Sequence, residues 1–143
     1  MSMPLRVLVT KVGFDGHDRG SRLVSAYLRD AGHEVIYTAP WQEIEAVVRL
    51  AVDEDVDIIG ISTLATDHLI VPDLMEALAA AGKGDVAVVV GGIVPEQERP
   101  ALITAGVRAI FGPGSSRDEI IHTIERIGDD VRDARDRVLV GEA

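Results

Sequence analysis

The 143 residues are the size of one ordinary domain, and a hydrophobic content of 47% is enough for a single core, so one compact unit is expected. A formal charge of −10 with no run of Lys or Arg disfavours nucleic acid and anionic membranes as partners, and no stretch approaches the roughly 18 apolar residues of a membrane-spanning helix. The absence of cysteine excludes disulfides, thiolate catalysis and cysteine-ligated zinc or iron–sulfur sites, and 3% aromatic residues argue against a stacking surface for bases or flavin.

Met1 to Arg6 carries no signal-peptide pattern and leads directly into Arg6-Val-Leu-Val-Thr10, short and β-branched enough for a buried strand; a cytoplasmic location is expected. A polar loop follows, and Leu23, Val24, Tyr27 and Leu28 then fall at helical spacing in a helix expected over Arg19 to Ala31, stopped by Gly32. His33 to Thr38 reads as a second strand, Thr38-Ala-Pro-Trp41 as a turn in which Trp41 covers the core, and Ile44, Val47, Val48, Ala51 and Val52 as a second helix. Asp57 to Ser62 is a third strand, apolar throughout as burial on both faces requires.

A helix at about Val71 to Ala81 turns Leu74, Met75 and Leu78 inward and is broken at Gly82-Lys-Gly84. Asp85 to Val90 is the fourth strand, and Gly91-Gly92 directly after it marks either close approach to a ligand or a tight turn. A helix from Glu96 to Ala105 ends at Gly106, a short fifth strand covers Ala109 to Phe111, and the last helix, Asp118 to about Ile127, has Ser116 and Asp118 as candidate caps. From 128 to 143 the mixed charge and weak apolar period predict a flexible tail beyond a domain of residues 1–127. Strands alternating with helices predict an α/β fold, a flavodoxin-like five-stranded parallel sheet in the order 2-1-3-4-5 with helices on both faces.

The loop after the first strand, Lys11-Val-Gly-Phe-Asp15-Gly-His17-Asp-Arg-Gly20, belongs at the carboxyl edge of such a sheet, where ligands bind. Its three glycines remove side chains that would hold a large flat ligand away. His17 with a carboxylate two positions earlier suits a metal ligand, a general base or a solvated group, and Asp15 is spaced to orient the imidazole of a ligating histidine. The string Asp15-x-His17-x-x-Gly20 resembles the cobalamin-binding signature. With its flanks from Lys11 to Gly20 it is similar to the B12 domain of methylmalonyl-CoA mutase and its acyl-CoA mutase relatives, and the likeness extends over about residues 5 to 127.

That resemblance implies that His17 displaces the nucleotide base and becomes the lower axial ligand of the cobalt of adenosylcobalamin. Asp15 and Lys11 would complete its hydrogen-bonded group, and Gly13, Phe14, Gly16, Asp18, Arg19 and Gly20 would shape the cofactor loop. It further implies that Ser62 bonds the benzimidazole tail, that Leu64 packs beside it, that Gly91, Gly92 and Gly112 keep a tunnel open, and that Ser115 contacts the tail. The segment Thr66-Asp67-His68 is one residue shorter than the mutases usually show; His68 reads as a partly exposed loop histidine, as do His33 and His122. No acyl-CoA site fits in this chain, so the resemblance implies a cofactor-binding small subunit of an isomerase, inactive alone. Its partner would be a larger (β/α)8-barrel subunit that binds the acyl-CoA.

A methyl-transferring corrinoid protein would carry a helical module ahead of the first strand, and a corrinoid carrier or sensor would use the same fold without a mutase partner. A phosphoacceptor receiver shares the topology but needs acidic residues after strand 1, an Asp ending strand 3 and a Lys ending strand 5. Thr10-Lys11, Ser62 and Phe111-Gly112 stand at those places. The hydroxyl-rich phosphate loop of a flavodoxin is likewise missing after strand 1.

Overall fold

The computed structural model describes residues 4–11, 19–38, 43–64, 70–139 and 141, with Arg19, Thr63 and Leu64 described by backbone alone. Asp15 and His17, together with Gly13, Phe14, Gly16, Asp18, Trp41 and His68, lie outside the described residues.

Five parallel strands form one sheet in the order β2-β1-β3-β4-β5. They are β1 (Arg6–Thr10), β2 (Glu34–Tyr37), β3 (Ile58–Leu64), β4 (Ala87–Ile93) and β5 (Ala109–Phe111). The helices are α1 (Arg19–Asp30), α2 (Ile44–Glu54), α3 (Val71–Ala80), α4 (Arg99–Ala105), which follows a 3-10 turn at Glu96–Glu98, and α5 (Arg117–Leu139). Neighbouring strands with the same direction need a crossover, and α1 to α4 supply the four that five strands require. The expected fold and strand order are both found.

Alternation along the strands divides the core in two. Leu8, Ile59, Ile61, Val88 and Val90 pack with Val47, Ala51, Leu74, Leu78 and Leu102 of α2, α3 and α4. Val7, Val9, Ile58, Ala87 and Val89 face the other way, onto Leu28 of α1 and Ile120, Ile121, Ile124 and Ile127 of α5. Ile58, Ile59 and Ile61 are all within 2% of full burial, and each such side chain stabilises the fold by about 1.5–3 kcal/mol. Among the described residues no helix is long and apolar enough to cross a membrane.

Three expectations are corrected. β3 and β4 run further toward the carboxyl edge than their apolar residues suggest. Ser62 pairs with Gly91, Thr63 with Gly92 and Leu64 with Ile93, so the two glycines lie inside the ladder and not after it. The central position of both strands supplies partners that override the weak β-propensity of glycine.

The second correction concerns the chain beyond Ile127, which is helical through Leu139 instead of a flexible tail. Gly128 is the hinge of that misreading. A Cβ on it would collide with the side chain of Leu5, so the glycine serves close approach of α5 to the start of β1 and does not stop the helix. Val131 is buried one turn on, at 4% exposure. The charges that suggested disorder have partners. Asp57, itself buried, accepts hydrogen bonds from the Arg6 N–H (2.9 Å), Arg132 Nη2 (3.0 Å) and Arg135 Nη1 (2.7 Å). Arg132 also donates to the Pro4 carbonyl at 2.6 Å and Arg135 to that of Val56 at 3.1 Å.

Third, His33 is not a partly exposed loop residue. Its Nδ1 accepts the Leu5 N–H at 3.0 Å, which puts the proton on Nε2, 2.9 Å from Glu125 Oε2. The ring thus joins the starts of β1 and β2 to α5. His122, by contrast, is exposed on α5. Ser116 does cap that helix, accepting the Glu119 N–H at 3.1 Å, while Asp118 lies within the first turn.

Candidate functional site

The carboxyl ends of β1, β3, β4 and β5 and the first turns of α1 and α5 enclose a cavity of about 220 Å³. Its position follows from strand alternation. On the sheet face toward α1 and α5 the side chains near the amino ends are Val7, Ile58 and Ala87, all buried in the core. Toward the carboxyl ends the same face carries Gly60, Ser62 and Gly91, and the surface drops away there for lack of side chains. Val9, Val89 and Phe111 form the rest of the floor, Val24 and Tyr27 of α1 one wall, and Ile120 and Ile124 of α5 the other. Arg117 sits over the Tyr27 ring, 5.7 Å from its centroid.

These small residues are not imposed by the backbone. A Cβ on Gly91 would have only the Phe111 carbonyl oxygen nearby, at 3.9 Å, and one on Gly60 would meet Val89 Cγ2 at 3.8 Å and the Leu8 carbonyl at 3.9 Å, both ordinary contacts. A Cβ on Gly20 would meet nothing within 4 Å. A Cβ fits at all three positions; what it would consume is room in the cavity. Gly92 is different, because its φ of +113° is one that L-residues rarely adopt. Its glycine is required by the fold whether or not a ligand binds.

Of the residues singled out from sequence, Gly20, Ser62, Gly91, Gly92, Gly112 and Ser115 all border this one cavity. The Ser115 N–H donates to the Gly112 carbonyl at 3.1 Å, which tightens the turn between β5 and α5. Leu64 ends β3 opposite Ile93, and Arg19 begins α1. Lys11, directly after β1, is 2% exposed and has a polar or charged contact, as a buried ammonium requires. The loop that carries Asp15 and His17 joins Lys11 to α1 and is outside the described residues. Sequence reasoning missed Gly60, Tyr27, Ile120 and Ile124 as lining residues. Gly60 was legible: it interrupts an apolar strand two positions before Ser62, hence on the same face. Tyr27 carried no such signal, since its spacing reads equally as core.

Chemically, the cavity is a slot for a flat, largely uncharged group. An apolar cavity of about 150 Å³ accommodates benzene, so this one has room for a fused bicyclic ring, with the Ser62 hydroxyl among the few polar groups within it.

The chain is 67% identical over 132 residues to the pivalyl-CoA mutase small subunit of Xanthobacter autotrophicus, an alignment that covers 92% of this chain and 89% of that one. It is 41% identical to the 2-hydroxyisobutanoyl-CoA mutase small subunit of Aquincola tertiaricarbonis, with 87% and 92% covered. Against the methylmalonyl-CoA mutase of Cereibacter sphaeroides the identity is also 41% over 91% of this chain, but the match spans 18% of that longer protein. Among solved structures, a cobalamin-binding protein from Desulfitobacterium hafniense superposes with a TM-score of 0.75 at 17% identity, covering 87% of this chain and 59% of the other. The monomethylamine corrinoid protein of Methanosarcina barkeri does so with 0.73 at 22% identity, covering 85% and 57%. A signal receiver domain from Vibrio parahaemolyticus reaches 0.73 at 11% identity, covering 99% and 100%, so at this level the likeness speaks for the fold alone. The sequence itself matches the B12 binding domain over residues 5–122, and the chain therefore belongs to the B12-binding domain family.

Proposed function

We propose that this chain is the cofactor-binding small subunit of an adenosylcobalamin-dependent acyl-CoA mutase and holds the cofactor base-off. The observation that carries the reading is the cavity whose floor is built from Gly60, Ser62 and Gly91, the two glycines standing where a Cβ would meet only ordinary contacts. High identity to two mutase small subunits along nearly their whole length supports the subunit role.

In this reading the cavity would hold the cofactor's benzimidazole, with Val9, Val89, Ile120 and Ile124 excluding water from it and Ser62 supplying a hydrogen bond. His17 would hold the cobalt through an imidazole nitrogen, Asp15 would orient that imidazole by accepting its second N–H, and the buried Lys11 would stabilise the carboxylate in turn. When bound, the cofactor supplies radical chemistry through homolysis of its Co–C bond. The chain's own task is to orient that group and to leave its upper face open to a larger barrel subunit, which binds the acyl-CoA and closes the space against solvent. The 67% identity to a pivalyl-CoA mutase small subunit makes pivalyl-CoA the first substrate to try with such a partner.

The test is spectroscopic. Purified chain titrated with cobalamin is expected to give a base-off spectrum with histidine nitrogen on cobalt, and the His17→Ala variant to bind without that coordination. Retention of benzimidazole on cobalt in the wild-type complex would overturn the axial assignment.

A further inference from the structure

Arg99, the first residue of α4, does not line the cavity just described, yet its side chain lies beside Gly112, which does, directly after β5 at the carboxyl edge. A methyl group placed on Gly112 would lie 3.5 Å from Arg99 Nη2. The side chain is half-buried, and its Nε is buried without a hydrogen-bond partner among the described residues. Buried polar atoms are nearly always satisfied, and an unsatisfied donor costs about 1–3 kcal/mol. On a chain with a net charge of −10, with Glu96 and Glu98 in the preceding turn, a guanidinium without its full set of partners at a ligand opening calls for an anionic acceptor.

We infer that Arg99 binds the phosphodiester of the cobamide tail, an inference that rests on the cofactor reading above. The covalent order of a cobamide places the anion: corrin, aminopropanol, phosphate, ribose, base. With the base in the cavity and the corrin outside the carboxyl edge, the phosphate must pass the mouth, where Gly112 leaves room beside the guanidinium. Glycine at 112 and arginine at 99 then act together, since a side chain on the first would occupy the space between the second and the ligand.

Two truncated corrinoids separate the phosphate from the base: cobinamide, which ends before the phosphate, and cobinamide phosphate, which ends after it. Affinities for both, and for cobalamin, are measured by corrin absorbance and calorimetry with wild type, Arg99→Gln and Arg99→Lys, each checked for fold by circular dichroism. Wild type is expected to prefer cobinamide phosphate by about tenfold, a preference that weakens with added salt, collapses toward one in Arg99→Gln and is largely kept in Arg99→Lys. An unchanged ratio in Arg99→Gln, an equal loss for both ligands, or weaker association with the large subunit alone would each overturn the assignment. Failure of wild type to bind cobalamin at all would instead remove the cofactor reading on which it rests.

Discussion

Gly60 and Gly91 are glycines for the sake of the space above them. Their neighbours would accept a side chain at ordinary contact distance, so substitution should spare the fold and cost the ligand. Gly91→Leu and Gly60→Val are expected to keep circular dichroism and thermal midpoint close to wild type while cobalamin affinity falls by at least about tenfold, as loss of most of a buried ring's contacts implies. Gly92→Ala is the contrasting case. A left-handed conformation forced on alanine costs about 1–2 kcal/mol, so this variant should lose stability in urea before it loses anything specific to the ligand. If Gly91→Leu binds cobalamin as wild type does, the tail lies elsewhere.

At the scale of elements, α5 is held by contacts at both of its ends. Its first turn is capped by Ser116, and its far half is fixed by Gly128 against Leu5 and by Arg132 and Arg135 on Asp57. Helix propensity alone would favour Gly128→Ala by about 1 kcal/mol. The collision with Leu5 has the opposite sign and is larger, so the variant should be destabilised by about 1–3 kcal/mol in urea titration, and adding Leu5→Ala should reverse the collision in part. A Gly128→Ala protein more stable than wild type would contradict the packing.

α2 ends in a left-handed Asp55, with φ of +50°. A hydrogen bond from Lys83, reinforced by the Lys83 charge, holds the Asp55 carboxyl below its ordinary range. The folded protein therefore binds that proton less readily than the unfolded chain. The stabilisation is present above the ordinary aspartate range, near pH 4, and is lost as pH falls through the lower folded value. Lys83→Met should flatten the dependence of unfolding free energy on pH in this acidic window and leave the slope near neutrality alone. The effect will be small, because the Asp55 carboxylate is largely exposed.

On the scale of the whole molecule, the apolar cavity opens at one edge of the sheet and the charged cluster around Asp57 lies at the other. Ile93 and Leu23, both about half exposed, flank the ligand edge, where the proposed partner would seat. The chain with cobalamin should show no acyl-CoA isomerisation until the larger subunit is added. Subunit association should tighten when cobalamin is bound, and cobalamin should bind more tightly when the subunit is present, by the same factor. Calorimetric titrations in both orders measure the two factors. Isomerisation by this chain alone, or a coupling factor of one, would refute the arrangement.

Much of this was readable without coordinates because it depends on near neighbours in the chain. The alternation of apolar strands with helical periods dictated a parallel sheet, and the string from Lys11 to Gly20 pointed to the cofactor. Ser62, Gly91 and Gly112 could be singled out because each stands where an apolar strand gives way at its carboxyl end. Tertiary structure alone decided which residues share a surface. Tyr27 and Ile124 line one cavity from different helices, His33 reaches Glu125 across 92 positions, and Arg135 reaches Asp57 across 78. The tail looked flexible because its charges have no local partner, and the reason for its glycine was out of reach because Leu5, which needs the space, lies at the opposite end of the chain. Period and propensity are properties of a few adjacent residues; burial, the pairing of charges and the volume of a cavity arise only when distant segments pack together.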